Sequence, residues 1–171
     1  NFSDEYSYVC ARDLIVEKNE RLVRKGKPII RLEDMLYKNL TGNQILTRRE
    51  RLLAVGGFDE ALRSAQDYDL WLRLLERFGP AKMIQEVLQI VYRNHESERV
   101  SIARGKISGE WNLYKKHKSK MNRLQRRVHL LELKRLKQKK INLSELLLIS
   151  NSRFFKLYAR YYLRKALGRV G

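Results

Sequence analysis

Cys10 is the only cysteine in 171 residues, so no disulfide can form within the chain. That fits a reducing compartment. Long apolar runs are also missing. The longest, Leu146-Leu147-Leu148-Ile149, ends at Ser150, far short of the roughly 18 residues that crossing a bilayer requires. No internal repeat, low-complexity tract or leader-like segment stands out. Acidic residues nearly vanish from the last third. Residues 112–171 hold 18 Lys and Arg against only Glu132 and Glu145, whereas residues 1–111 hold 19 against 17. The net balance of +18 therefore sits almost wholly in the last third, and this change in charge is the best boundary marker in the chain. With 43% hydrophobic residues the chain can still build a core, which excludes wholesale disorder.

The first 106 residues read as alternating strands and helices. Tyr6 to Ala11 is β-favouring, and residues 16–20 form a turn into a second extended stretch. Leu32, Leu36 and Leu40 mark one stripe of a short helix. Gln44 to Thr47 reads as a strand, and residues 48–55 as a short helix ended by Gly56. Residues 67–78 are the most secure helix, with Leu70, Trp71, Leu74, Leu75 and Phe78 on its apolar face and Gly79-Pro80 as its stop. Trp71 belongs to that packing face. Lys82 to Ile84 and Val87 to Tyr92 read as two strands. From Ile107 onward the pattern is helical: Met121, Leu124, Val128 and Leu131 follow 3–4 spacing, and Asn142 with Glu145 forms a capping box. Near the end, Arg153, Lys156, Arg160 and Arg164 share one helical face, and Phe154, Phe155, Tyr158, Tyr161 and Tyr162 occupy the other. Such a helix suits an anionic membrane surface.

The chemistry concentrates in Val55-Gly56-Gly57-Phe58-Asp59-Glu60 and Gln66-Asp67-Tyr68-Asp69-Leu70-Trp71-Leu72-Arg73. Two glycines allow a backbone path that residues with side chains resist. Asp67 and Asp69 fall in a first helical turn, where free N–H groups and the dipole favour the ionised carboxylate. A helix start of this kind serves either as a cap or as a place to present a base or cation ligand.

These segments, with Asn43-Gln44-Ile45-Leu46-Thr47-Arg48-Arg49 before them and Val91-Tyr92-Arg93-Asn94-His95 after, resemble the C-terminal half of the catalytic domain of bacterial family 2 glycosyltransferases. Residues 99–118 are similar to the tail of the subset that builds lipopolysaccharide, O-antigen or capsule. The resemblance implies an α/β chain: the C-terminal half of a GT-A (Rossmann-like) domain with a mixed sheet over residues 1–106, then a basic helical extension over residues 107–171. It implies transfer of a sugar from a nucleotide-sugar donor to a saccharide or lipid-linked acceptor, by single displacement with inversion. In that family an acidic dipeptide, usually Glu-Asp, supplies the catalytic base. Here it is Gln66-Asp67, which keeps the base position and replaces its neighbour by an amide. Asp67 is therefore the expected base. Gly56, Gly57, Asp69, Asn43 and Gln44 are expected on the acceptor side, Arg99 at the donor diphosphate, and His95 as a metal ligand.

The resemblance also implies a divalent cation, Mg or Mn, in the full-length enzyme. The nucleotide-binding half with its Asp-x-Asp motif has no counterpart here. Asp67-Tyr68-Asp69 opens a helix rather than following a buried strand, so the chain is expected to be a C-terminal piece that does not work alone. The tail would hold the enzyme on the inner face of the plasma membrane. A nucleic-acid-binding module is the rival reading of the basic tail, disfavoured because the glycine turn would go unexplained. An oligomerisation arm through Leu124, Val128 and Leu131 is the third. His117 and His129 are expected to be solvated.

Overall fold

A computed structural model describes residues 4–17, 20–24, 26–92, 103–150 and 154–167. Its strands are β1 (Val9–Glu17), β2 (Glu20–Val23), β3 (Ile29–Ile30) and β4 (Ala81–Tyr92). Its α-helices are α1 (Leu32–Met35), α2 (Arg49–Ala54), α3 (Gln66–Phe78), α4 (Ala103–His117), α5 (Arg123–Leu136), α6 (Leu143–Leu147) and α7 (Phe155–Ala166), with a 3-10 turn at Lys118–Lys120.

The sheet runs β2-β1-β4-β3, with β1 and β4 parallel and the outer pairs antiparallel. It is thus the mixed sheet of the expected α/β class. The two strands expected at Lys82–Ile84 and Val87–Tyr92 are one strand, and the gap between them is irregular pairing. Ala11 pairs Ile84, but Arg12 pairs Val87 and Asp13 pairs Gln89. Extra residues on one strand bend it and break the alternation from which strands are read, which is why the sequence suggested a break. Gln44–Thr47 contributes only an isolated bridge, Val9 to Leu46. The helix expected over residues 32–40 closes after Met35, because the following chain turns to let Asn39 Oδ1 accept from Thr41 N–H and Gly42 N–H, both at 3.0 Å.

The main core lies between the sheet and α3. Leu70, Trp71, Leu74 and Leu75 from α3 meet Cys10, Ile30 and Met83 from the strands and Tyr8 just before β1. Trp71 is a core residue, as its helical partners suggest: its ring lies 5.9 Å from that of Tyr8, and its Nε1–H donates to Gly42 O at 3.0 Å. Satisfying the indole N–H internally makes that burial affordable.

Leu113 of α4 and Met121 also belong to this core, so the first helix of the basic segment completes the sheet domain. A second core gathers Val128, Leu131, Ile141, Leu146, Ile149, Phe154 and Tyr158, with Tyr37 against it. Two capping boxes start its helices. Asn122 N–H donates to Gln125 Oε1 at 2.7 Å and Gln125 N–H to Asn122 Oδ1 at 2.9 Å, and Asn142 N–H donates to Glu145 Oε2 at 2.9 Å. The second was legible in the sequence.

Two expectations about this region are corrected. Val128 and Leu131 are buried within their own chain, so that stripe is not free for a neighbouring copy. Phe154 and Tyr158 point inward, while Lys156, Leu157, Arg160 and Leu163 are exposed. The outer face of α7 is cationic and leucine-bearing, with its aromatics turned towards the second core. Packing against α5 and Tyr37 wins over the surface role that side-chain type alone suggested.

Candidate active site

Helix α2 ends where it does because Gly56 and Gly57 take φ of +81° and +64°. Gly56 N–H donates to Leu53 O at 3.0 Å and Gly57 N–H to Leu52 O at 2.9 Å, the paired closure of a Schellman turn. A Cβ at either position would meet nothing within 4 Å, so left-handed backbone rather than space selects glycine here.

The turn is anchored to α3. Arg73 donates from Nη2 to Gly57 O at 2.7 Å and from Nη1 to Val55 O, and Arg77 Nη1 reaches Ala54 O. Two guanidinium groups thus cap the exposed carbonyls, and the negative dipole end, of α2.

Ala65 precedes α3 with φ +62° and ψ +22°, a left-handed conformation that costs a side-chain-bearing residue roughly 1–2 kcal/mol. Its carbonyl accepts from Asp69 N–H at 3.0 Å. This entry places Asp67 in the first turn, where its Oδ1 accepts the Tyr68 N–H at 2.8 Å. Burial pushes the Asp67 carboxyl up, against the backbone hydrogen bonds and the positive charge of Arg24. Burial thus gives it a stronger appetite for a proton than a free aspartate. It opens on a cleft of about 300 Å³, lined by Phe58, Asp59, Glu60, Leu62, Gln66 and Asp67. The glycine turn thus leads directly into the wall of the cleft that holds Asp67.

Asp69 behaves otherwise. It is 0% exposed, and its carboxylate is surrounded by donors. Oδ2 takes Arg73 Nε at 2.8 Å, and Oδ1 takes His117 Nε2 at 2.8 Å and Lys116 Nζ at 2.9 Å. Burial by itself would raise its pKa. The hydrogen bonds from His117, Lys116 and Arg73 outweigh burial and hold the carboxyl far below the usual range. Such a group is an internal anchor and has no free edge for an acceptor hydroxyl, which corrects the expected acceptor-side role. Lys116 also bonds Asp59 Oδ2 at 2.6 Å, so the end of α4, the start of α3 and the cleft wall form one charged network. Sequence reasoning missed His117 and Lys116 because they lie 48 and 47 positions from Asp69 in a segment assigned to an appendage. His117 is 1% exposed and His129 3%; neither is solvated. Arg73 alone was readable, from its i,i+4 spacing to Asp69.

Asn43 and Gln44 lie elsewhere. Asn43 Oδ1 accepts from Gln89 Nε2 at 3.2 Å, and Gln44 lines a separate groove with Cys10, Ile84 and Leu88. Neither lines the Asp67 cleft. His95 and Arg99 fall outside the described residues. Among the described residues, no three His, Cys, Asp or Glu side chains gather as a metal site.

This mixed-sheet α/β unit, with a glycine turn leading to a first-turn aspartate at an open cleft, is consistent with part of a GT-A type domain. Residues 5–139 match the family described as "Glycosyltransferase like family 2", and the chain belongs to that family. It is 30% identical over 147 residues to the "Putative colanic acid biosynthesis glycosyl transferase WcaA" of Escherichia coli (strain K12). That alignment covers 85% of this chain and 52% of the relative, so the chain spans about half the length of the curated relative it matches. No solved structure matches.

Proposed function

We propose that this chain supplies the base and acceptor side of a sugar-transfer site in bacterial surface-polysaccharide synthesis. The observation that carries the reading is the placement of Asp67: a family 2 chain holds it in the first turn of α3, facing a cleft, with its pKa raised by burial. The acceptor hydroxyl attacks the anomeric carbon of a nucleotide-activated sugar, Asp67 takes the hydroxyl proton, and the nucleoside diphosphate leaves with inversion. Asp69, Arg73 and His117 hold the helix start that aims Asp67, and Gly56-Gly57 shapes the approach. The relative's printed role in colanic acid biosynthesis supports the polysaccharide setting.

Donor binding, and the Mg or Mn ion expected with it, belong in this proposal to residues other than those described, because the described carboxylates and histidines do not form a metal site. Among the described residues no helix is long and apolar enough to cross a membrane. The exposed Lys156, Arg160, Leu157 and Leu163 support peripheral contact with an anionic membrane carrying a lipid-linked acceptor.

The test is Asp67→Asn in a polypeptide that carries this chain together with a donor-binding half. Turnover should fall about 100-fold or more, with donor affinity and fold retained, and the anomeric configuration of the product should be inverted. Turnover within about threefold of the parent would remove Asp67 from the base role.

A further inference from the structure

A second cavity, of about 290 Å³, opens between α4, α5, α7 and the chain after α1. It is distinct from the cleft lined by Asp67, yet Tyr68, the next residue on α3, lines it together with Tyr37, Glu110, His129, Glu132 and Leu157. Its volume is at the small end for ligand pockets and suits a single ring.

Most polar side chains here are already engaged. Glu132 is held by Arg135 at 2.8 and 2.5 Å and by the Tyr158 hydroxyl at 3.3 Å. His129 Nε2–H donates to Leu36 O at 3.0 Å, and the Tyr68 hydroxyl donates to Met35 O. Glu110 is the exception: among the described residues it has no hydrogen-bond or ion-pair partner. Half-buried and lining the cavity, its carboxylate is free to accept from a ligand that brings donors. The charges around it nearly balance, with Glu110, Glu132 and Asp67 set against Lys38, Lys106 and Arg135, so neither an anion nor a cation is favoured.

We propose that this cavity is a subsite for a neutral sugar ring, its hydroxyls donating to Glu110 and its apolar side resting on Tyr37 and Leu157. The proposal rests on the reading of Asp67 as the base: a ring seated here lies beside Tyr68, on the chain's path to Asp67, and is the acceptor or the unit next to it. Sequence patterning gave no hint of it, because Glu110 lies just before the charge step and its neighbours in the cavity come from other elements.

The cavity carries its own signature. Burial first, then the negative charge of Glu132, pushes the Glu110 carboxyl up to about 7; Asp67 adds to this, and Lys106 and Arg135 oppose it. His129, Tyr68 and Tyr158 also face the cavity, and burial keeps their neutral forms favoured. A ligand that donates to the ionised carboxylate favours deprotonation, so its binding tightens as pH rises from about 6 to about 8 and releases protons.

The experiment is an NMR titration of the 171-residue chain with methyl glycosides of neutral hexoses, with an amino sugar and a uronate alongside. Saturable shifts are expected at Tyr37, Tyr158 and His129. Glu110→Ala should weaken binding about tenfold or more. Glu110→Gln, which preserves shape, should abolish the pH dependence. The proposal is overturned by shifts confined to Phe58 and Leu62, by no saturable shift with any neutral glycoside, by preference for the amino sugar or uronate, or by a Gln variant whose binding keeps the pH dependence. Saturable shifts in this cavity support the subsite whatever Asp67→Asn does to turnover, so the two readings fail separately.

Discussion

Asp69→Asn isolates the network that holds the site. The substitution keeps the shape of the side chain and removes one charge from a position that is 0% exposed. In the native chain that charge receives Arg73 Nε at 2.8 Å, His117 Nε2 at 2.8 Å and Lys116 Nζ at 2.9 Å. An amide has one acceptor oxygen and turns its NH2 towards other donors, so at least one of these donors loses its partner. Lys116 can fall back on Asp59, 2.6 Å away, and is a third exposed at its side chain; Arg73 and His117 cannot reach water as easily. Breaking a buried pair costs about 3–5 kcal/mol, and the retained oxygen and the Lys116–Asp59 pair argue for about 3 kcal/mol. In a chain of this size that lowers the melting temperature by about 6–12 °C. The pH dependence gives the sharper check. The folded Asp69 carboxyl lies far below its ordinary value of about 3.9. A depressed carboxylate contributes stability that is fully present above the unfolded pKa and is lost as pH falls towards the folded one. Urea melts followed by circular dichroism should therefore show the full difference between the two proteins at pH 7 and a shrinking one below about pH 4. A loss under about 1 kcal/mol at pH 7, or a difference that does not change with acid, would refute the network as the holder of α3.

Two glycines should respond differently to alanine. Gly57→Ala meets only left-handed backbone, so the loss should be about 1 kcal/mol in the same melts. Gly109→Ala places a Cβ 1.9 Å from Ser64 Oγ and 2.7 Å from Ser64 O, next to the strained Ala65 that aims Asp67; about 2 kcal/mol is expected from overpacking, with a fall in turnover. Equal losses at the two sites would contradict the account. For the membrane contact, Lys156→Glu with Arg160→Glu should abolish co-sedimentation with anionic vesicles at physiological salt while leaving the melt unchanged. Retained binding, or equal binding to neutral vesicles, would remove α7 from that role.

Legibility in the sequence followed the range of the interaction. Helix α3 was readable nearly to the residue because its apolar stripe, its glycine stop and its acidic start are all local. The capping box at Asn142 was readable for the same reason. Strand β4 was divided in two because its irregular pairing is decided by β1, some 70 positions earlier. Asp67 and Asp69 look alike in sequence, two carboxylates in one first turn, and only the third dimension separates them. One side of the turn faces the cleft, and the other meets Arg73, Lys116 and His117. Gly109 reads as a weak point inside a helix until Ser64 is seen against it.

The charge step along the chain has a related explanation. An excess of cations after residue 111 suggests an independent, solvated arm, and part of it is the opposite. Lys116 neutralises Asp59 and Asp69, and Lys120 pairs with Glu76, so cations from the last third complete ion pairs whose carboxylates lie in the first two thirds. The cores repeat the pattern, with Leu113 and Met121 in the first and Tyr37 packed on the second. Deleting the last third would thus strip a buried carboxylate of two of its partners and open both cores. Deleting only residues 142–171 would still remove Leu146, Ile149, Phe154 and Tyr158 from around Val128 and Leu131, exposing an apolar surface that itself binds lipid. Truncation therefore cannot distinguish a membrane-binding tail from a damaged domain. The charge reversals on the outer face of α7 can, because Lys156 and Arg160 are exposed and lie outside both cores.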